Sequence, residues 1–295
     1  MKSIVQQGFT LVEMVITILI AAILSVGIVN YIGDSVEGFS SSANRNRLAS
    51  SGRTVLDRLA MELHNAVPNS VRTRSVANQQ CIEYVPFIRA TSYVDPAFNG
   101  PPSDVFDMVV LNPSLTFPPH DPLTDPPRKP LYAVIYPISV ADLYLDAAQA
   151  SSPGIIAGIS SIQENIDHQG RLSVALENPH LFRLRSPVNR IYIAESPVSF
   201  CMVDSRIFRY SDYGFHAQQP TPLSECPPSS GALCLPETSP SRRLITDRVV
   251  NTGIGAFEVI AATLRRNAIV SITLAFEDQG DVVNLKHEVL LRNVP

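Results

Sequence analysis

The sequence of 295 residues has no excess of positive charge and no tryptophan. Its 23 Lys and Arg residues are outnumbered by 27 Asp and Glu, which leaves a net charge of −4 at pH 7. This balance offers no basic field to a nucleic acid, so we expect no such partner. A phosphate-binding loop, a dinucleotide fingerprint, a GxSxG elbow and an HExxH motif are all absent from the sequence. We therefore expect no catalytic residue, no cofactor and no bound metal, and a protein that is not an enzyme.

Charge is also scarce in one long apolar run near the N-terminus, in the segment QQGFTLVEMVITILIAAIL. Across residues 9–33 the single charged side chain is that of Glu13. As a helix, residues 9–32 would be roughly 36 Å long, enough for a hydrocarbon core of about 30 Å. A cleaved signal peptide and an ordinary single-pass anchor are alternative interpretations. Neither explains a carboxylate that costs on the order of 2.5–3.5 kcal/mol inside a bilayer.

The position of Glu13 suggests a partner for its charge. Phe9 lies four residues earlier, on the same face of a helix. If the peptide were cut between Gly8 and Phe9, the new amino group of Phe9 would supply a positive charge. That charge could act on Glu13 of the same chain or of a neighbouring chain. We therefore predict that the acid meets an amine created by processing.

The segment GFTLVEMVITILIAAIL resembles the N-terminal signature of type IV prepilins and type II secretion pseudopilins. The resemblance implies that a prepilin peptidase cuts after Gly8 and that Phe9 becomes the methylated N-terminus. It also implies that Glu13 is the residue required for assembly. Residues 1–8 would then be a cytoplasmic leader, in which Lys2 fits the cytoplasmic side.

The same resemblance implies partners and a location. The partners are the prepilin peptidase, other major and minor pilins and an inner-membrane assembly platform. Residues 9–32 would form a transmembrane and assembly helix that crosses the inner membrane once. The globular domain would lie in the periplasm, and later in the pilus at the cell surface.

Helical spacing continues beyond the apolar run, and we predict that residues 33–67 form an amphipathic half of the same helix. Gly33 and Gly38 are positions where a long helix could bend, and Pro68 ends the pattern. The apolar stripe, which we expect to pack on the following domain, consists of Leu48, Val55, Leu56, Leu59 and Leu63. The residues expected on the solvent side are Arg45, Arg47, Arg53, Asp57, Arg58 and Glu62.

Residues 68–295 read as a β-rich globular domain, because apolar residues alternate in segments bounded by turn residues. We predict strands in 81–88, 106–111, 132–138, 171–176, 190–195, 198–203, 206–211, 257–264, 268–277 and 282–291. The segment DQGD, residues 278–281, should join the last two strands as a turn, and a second hairpin should turn near Asp204. We expect a proline-rich excursion at about residues 96–130 and a short helix within 146–161.

The predicted fold class is therefore α+β and type IV pilin-like: a long N-terminal helix packed on a mainly antiparallel sheet. The segments VSFCMVDSRIFRYSDYGF and LITDRVV and the terminal RNVP resemble minor pilins of mannose-sensitive haemagglutinin (MSHA) pili. A body of roughly 225 residues is bulky for a shaft repeat, so we expect low copy number in an initiating or tip complex. The alternatives are a J-like minor pseudopilin of type II secretion and, more remotely, a membrane-anchored exported enzyme.

Four cysteines are present, an even number, and a domain outside the cytoplasm would allow them to oxidise. Cys226 and Cys234 flank the short segment PPSSGAL, which a local disulfide could close. Cys81 and Cys201 would then form a long-range disulfide. A zinc site is the alternative, but no CxxC or Cys-x-x-His spacing supports it. Calcium at DQGD is a further alternative, although such segments are more often only turns.

Overall fold

The computed structural model describes residues 10–76, 79–110, 115–121, 125, 127–222, 235–236, 240–250, 255–261 and 267–291. Gly8, Phe9, Cys226 and Cys234 therefore lie outside the described residues.

Helix α1 (Leu11–His64) contains 54 residues, a length of about 81 Å at 1.5 Å per residue. Thr10 caps its start, because the Thr10 hydroxyl accepts a hydrogen bond of 3.3 Å from the backbone N–H of Glu13. The helix ends at His64, four residues before Pro68. The predicted stripe is confirmed, because all five of its residues are buried. The buried residues of the whole helix are Asn44, Leu48, Gly52, Val55, Leu56, Leu59, Ala60 and Leu63.

In the described part of the body the regular elements are strands and one short helix, α2 (Val140–Gln149). The strands within the described ranges are β1 (Arg72–Val76), β2 (Gln79–Tyr84), β3 (Phe87–Val94), β4 (Ser103–Val109), β5 (Leu131–Ile135), β6 (Ile156–Glu164), β7 (Arg171–His180), β8 (Arg190–Ala194), β9 (Val198–Val203), β10 (Arg206–Tyr210), β11 (Arg242–Asp247), β12 (Val249–Val250), β13 (Phe257–Ile260), β14 (Ile269–Asp278) and β15 (Asp281–Leu290).

These strands form three arrangements, and every pairing between them is antiparallel. One sheet has the order β1-β2-β9-β10-β11. A second consists of β12, β13 and β15 around β14, and the third is a closed barrel, β3-β4-β7-β6-β5-β8. The predicted α+β class, a long helix packed on antiparallel sheet, is thus confirmed and is consistent with a type IV pilin-like fold.

The helix and the barrel have separate apolar cores. The second half of α1 contacts β14 and β15, and Leu59 belongs to the same buried cluster as Phe200 of β9 and Ile272 of β14. The barrel has its own interior, which includes Met108 of β4 and Ile193 of β8. The barrel was not predicted, because its closure depends on pairings such as β3 with β8 that join strands far apart in sequence.

The chain passes from the first sheet into the barrel at Pro86. The segment 81–88, predicted as one strand, is divided there: β2 pairs with β9, whereas β3, starting at Phe87, pairs with β8.

The first and second sheets are joined by the side chain of Gln80. The amide of Gln80 accepts a hydrogen bond of 3.1 Å from the Phe257 N–H and donates one of 2.7 Å to the Phe257 carbonyl oxygen. Gln80 thus bonds Phe257 as a neighbouring strand would.

Both predicted turns are present. Gln279 and Gly280 have φ values of 52° and 85° and connect β14 to β15, and Asp204, with φ of 53°, connects β9 to β10. Each of the ten segments predicted to be strands overlaps at least one strand. The short helix predicted within 146–161 begins and ends earlier, as α2, and β6 occupies the second half of that segment.

The predicted proline-rich excursion at about 96–130 contains strand β4 of the barrel.

Candidate functional site

The first half of α1 carries the predicted assembly residue. Every described residue from 11 to 40 is exposed, and by length and composition this helix could cross a membrane. Glu13 is the acidic residue of the first helical turn. A carboxylate there lies at the positive end of the helix dipole, which favours its charge. The helix itself therefore supports a negative charge at this otherwise apolar end.

The predicted partner of Glu13 lies outside the described residues. Gly8 and Phe9 precede Thr10, the first described residue. Cleavage after Gly8, methylation of Phe9 and pairing of the new amine with Glu13 therefore stay predictions.

The β14–β15 turn holds the middle of α1 through polar side chains. Arg45 Nε donates to Asp281 Oδ1 at 2.7 Å, and the Ser41 hydroxyl donates to the same atom at 2.9 Å. Asn44 Nδ2 donates to the Asp278 carbonyl oxygen, also at 2.9 Å. We call this group the turn clamp; it consists of Ser41, Asn44, Arg45, Arg47, Asp278 and Asp281.

The charges of the turn clamp are well matched. Arg47 pairs with Asp278, which Arg248 also contacts at 2.8 Å. The hydrogen bonds from Arg45 and then from Ser41 hold the pKa of Asp281 below its usual range, because both stabilise the ionised carboxylate. The clamp lies where the exposed half of α1 becomes the packed half, so it fixes the point at which the helix leaves the body.

Gly52 allows α1 to approach the second sheet closely. A Cβ atom at this position would lie 2.7 Å from Cε2 of Phe276 and would also collide with the side chain of Leu285. A larger residue would therefore have to displace these two side chains or move the helix away from β14 and β15. Gly33 and Gly38, where the helix was expected to bend, have no such contact: an added Cβ at either would meet no atom within 4 Å.

The prediction that Glu62 lies on the solvent side of α1 is wrong, because its carboxylate contacts the body. Its carboxylate accepts hydrogen bonds from the Tyr84 hydroxyl at 2.6 Å and from Arg209 Nε at 2.8 Å. Burial, followed by the nearby Glu62 carboxylate, raises the pKa of Tyr84 well above its ordinary value. Glu62 was expected in solvent because its partners lie on strands far along the chain, which helical spacing cannot reveal.

The structure contains the predicted disulfide between Cys81 and Cys201. These residues face each other in the register of β2 and β9, with their Cα atoms 4.1 Å apart. The bridge is buried beside Tyr210 and Leu235. The other predicted disulfide, between Cys226 and Cys234, falls outside the described residues.

Among the described residues, no group of three or more His, Cys, Asp or Glu side chains is placed to hold a metal ion. At DQGD, the segment weighed as a calcium site, the two aspartates instead contact Arg45, Arg47 and Arg248.

Residues 5–29 match the family described as the prokaryotic N-terminal methylation motif. No curated protein and no solved structure matches the chain. The motif is a type IV pilin-like signature, and together with the fold it supports a type IV pilin-like or pseudopilin-like protein. Such a signature implies processing by a prepilin peptidase and association with a membrane, and the single apolar helix is compatible with single-pass anchoring.

Proposed function

We propose that this chain is a minor pilin of an MSHA-like type IV pilus, most like the minor pilin MshO of those systems. The peptidase cuts it after Gly8, and Phe9 becomes the methylated N-terminus. The processed chain waits in the inner membrane with its body in the periplasm. An inner-membrane platform then moves it into a filament with other major and minor pilins.

The observation that carries this proposal is the exposed first half of α1. Its apolar side chains between residues 11 and 32 have no packing partner among the described residues of the body. Such a surface needs burial, which lipid supplies before assembly and a bundle of like helices supplies afterwards. The helix can thus change its surroundings while its apolar surface stays covered.

Glu13 sets the axial position of each subunit relative to its neighbour during this transfer. A neighbouring chain offers its new N-terminal amine, and the pair forms in a low-dielectric environment. The charges attract strongly there, although desolvation offsets much of the gain. Only a subunit at the correct axial position satisfies both groups.

The size of the body supports low copy number and a place in an initiating or tip complex. Three strand arrangements follow α1, and the barrel extends the body beyond the sheets that contact the helix. We propose a structural protein with no catalytic role. Adhesion at the cell surface is compatible with this position.

A minor pseudopilin of type II secretion, J-like in size, is the second candidate, because the methylation motif serves both classes equally. Deletion of the gene distinguishes them. Loss of pili supports the pilin, whereas exported proteins retained in the periplasm support the pseudopilin. A membrane-anchored exported enzyme is the remote third candidate, and substrate turnover by the purified chain would support it.

Processing is tested by mass spectrometry of the mature N-terminus. We expect a chain that begins at methylated Phe9. Gly8→Arg should remain unprocessed and migrate more slowly on a gel, whereas Gly8→Ala should be processed at least in part. A native chain that still begins at Met1, or that lacks the whole apolar segment, contradicts the proposal.

Assembly is tested separately with Glu13→Val. We expect this variant to be processed and membrane-bound but depleted from the sheared filament fraction, measured by immunoblot. Glu37→Val is the matched control, since Glu37 is exposed on the same helix beyond the apolar span. Equal incorporation of Glu13→Val and the parent chain contradicts the pairing.

A further inference from the structure

A cavity of about 230 Å³ lies on the barrel, away from the turn clamp. It opens between the end of α2 and strands β5, β6 and β7. Its polar and aromatic lining consists of Tyr132, Ser152, Glu177, Asn178 and His180. Nothing in the proposed assembly of the helix uses these residues.

Glu177 is the one acidic residue of this lining, and no lysine or arginine accompanies it. Its carboxylate has no hydrogen-bond or ion-pair partner among the described residues. His180 does not balance the charge, because burial lowers the pKa of its ring, whose Nε2 lies 3.3 Å from the Gly154 carbonyl oxygen. The lining therefore contains one carboxylate and no lysine or arginine to compensate it.

Gly158 makes room for the Glu177 carboxylate. A Cβ atom at position 158 would lie 2.7 Å from the carboxylate carbon of Glu177, so any other residue would displace it. The carboxylate of Glu177, an exposed residue, thus occupies space beside strand β6 that a side chain at position 158 would take.

One further feature favours a positive charge here. Tyr132 forms an aromatic wall, held edge-on by Phe215 with ring centroids 4.9 Å apart. Ala147 and Ala150, at the C-terminal end of α2, also line the cavity.

We propose that this cavity binds one aliphatic cation, a guanidinium or primary ammonium group on a short alkyl stem. Glu177 accepts charge-assisted hydrogen bonds from the cationic head, and Tyr132 covers the stem or the cation. The volume fits one such group and its stem. The cation comes either from an arginine or lysine side chain of a protein partner or from a free small amine. This proposal does not rest on the proposed function, because none of the lining residues belongs to α1.

Saturation-transfer NMR on the full chain in detergent micelles tests the proposal. The probes are butylguanidinium and its neutral counterpart butanol, together with the capped tripeptides Gly-Arg-Gly and Gly-Gln-Gly. We expect saturation of butylguanidinium and none of butanol. Saturation of Gly-Arg-Gly but not Gly-Gln-Gly identifies a protein side chain as a possible source, whereas saturation of butylguanidinium alone identifies a free amine.

Three variants separate the site from general attraction to an acidic protein. Glu177→Gln should bind butylguanidinium at least about tenfold more weakly, because it loses a charged acceptor. Gly158→Ala should also weaken binding, although it keeps the charge. Glu164→Gln, an exposed acid at the end of the same strand β6, should bind like the parent chain. Equal thermal melting of all variants by circular dichroism shows that the fold is retained.

Two results would overturn the proposal. One is equal saturation of butanol and butylguanidinium, which would mean that the cavity does not select charge. The other is an equal effect of Glu177→Gln and Glu164→Gln, or no effect of either. Neither result bears on processing at Gly8 or assembly through Glu13, so the two proposals fail independently.

Discussion

The two halves of α1 are one continuous helix in two different environments. From residue 11 to residue 40 every described side chain is exposed, whereas from Asn44 onward a buried residue returns about every turn. The change occurs at the turn clamp, where Asp281 bonds the helix. The first half can thus serve partners outside the body, while the second half holds the body in place.

The backbone hydrogen bonds of the helix connect its two halves, whereas the side chains determine what each half contacts. The first half is apolar on all its faces, which suits lipid or a bundle. The second half is apolar on one face, which suits a sheet. Substitutions at matched positions of the two halves should therefore have unequal effects on the body.

Leucine substitutions in the two halves should differ most in their effect on the free energy of unfolding of the body. Leu59 is 0% exposed, whereas Leu19 is 58% exposed. Leu59→Ala should lower the free energy of unfolding of the body by about 2–5 kcal/mol, because it leaves a cavity between helix and sheet. Leu19→Ala should leave it unchanged. Urea unfolding of the full chain in mild detergent, followed by near-UV circular dichroism of the tyrosines, measures both. Equal losses would mean that the halves do not differ.

The second half of α1 was predictable from the sequence, because helical periodicity is local. The β14–β15 hairpin was also predictable, since strand alternation and DQGD lie within one short segment. The barrel was not, because β3 pairs with β8 about a hundred residues later. Strand β6 was predicted partly as helix, yet its neighbours β5 and β7 pair with it on both sides.

The residues of the candidate site were likewise only partly predictable from the sequence. Glu13 was recognisable as a lone charge in an apolar run, without knowledge of any contact. The turn clamp was not, because Arg45 and Asp281 are 236 residues apart. Gly52 was also missed, since a glycine within a helix is unfavourable in itself and only the closeness of Phe276 explains it.

Acidic residues should show the next largest difference. Glu62→Gln should lower the free energy of unfolding by about 1–3 kcal/mol, since it weakens the bonds to Arg209 and Tyr84. Glu37→Gln, exposed on the first half, should change it little. The urea midpoints of the two variants, compared with the parent chain, measure the difference. A neutral Glu62→Gln would mean that Glu62 behaves as a solvated residue.

Glycines should show a smaller difference of the same direction. Gly52→Ala forces a Cβ against Phe276, at a cost of about 1–3 kcal/mol, and gains about 1 kcal/mol of helix propensity. The expected result is a net loss of roughly 0–2 kcal/mol in the free energy of unfolding of the body. Gly27→Ala meets no atom within 4 Å and should cause no loss. Urea unfolding under the same conditions compares them, and a stabilised Gly52→Ala would show that the helix can move away at no cost.

Lowering the pH should have the smallest effect, a loss of stability confined to the turn clamp at the boundary between the halves. Because Arg45 and Ser41 lower the pKa of folded Asp281, the clamp's contribution is complete above the usual carboxyl pKa of about 3.9. It is lost as the pH falls through the lower folded value. Hydrogen exchange, corrected for intrinsic rates, should therefore show reduced protection of residues 278–282 at pH 3 relative to pH 6. Asp281→Asn should already have reduced protection at pH 6 and little further change, since it has no carboxylate at that position to protonate. If the parent chain kept full protection at pH 3, another contact would have to hold the turn on α1, and the boundary between the two halves would be set by packing alone.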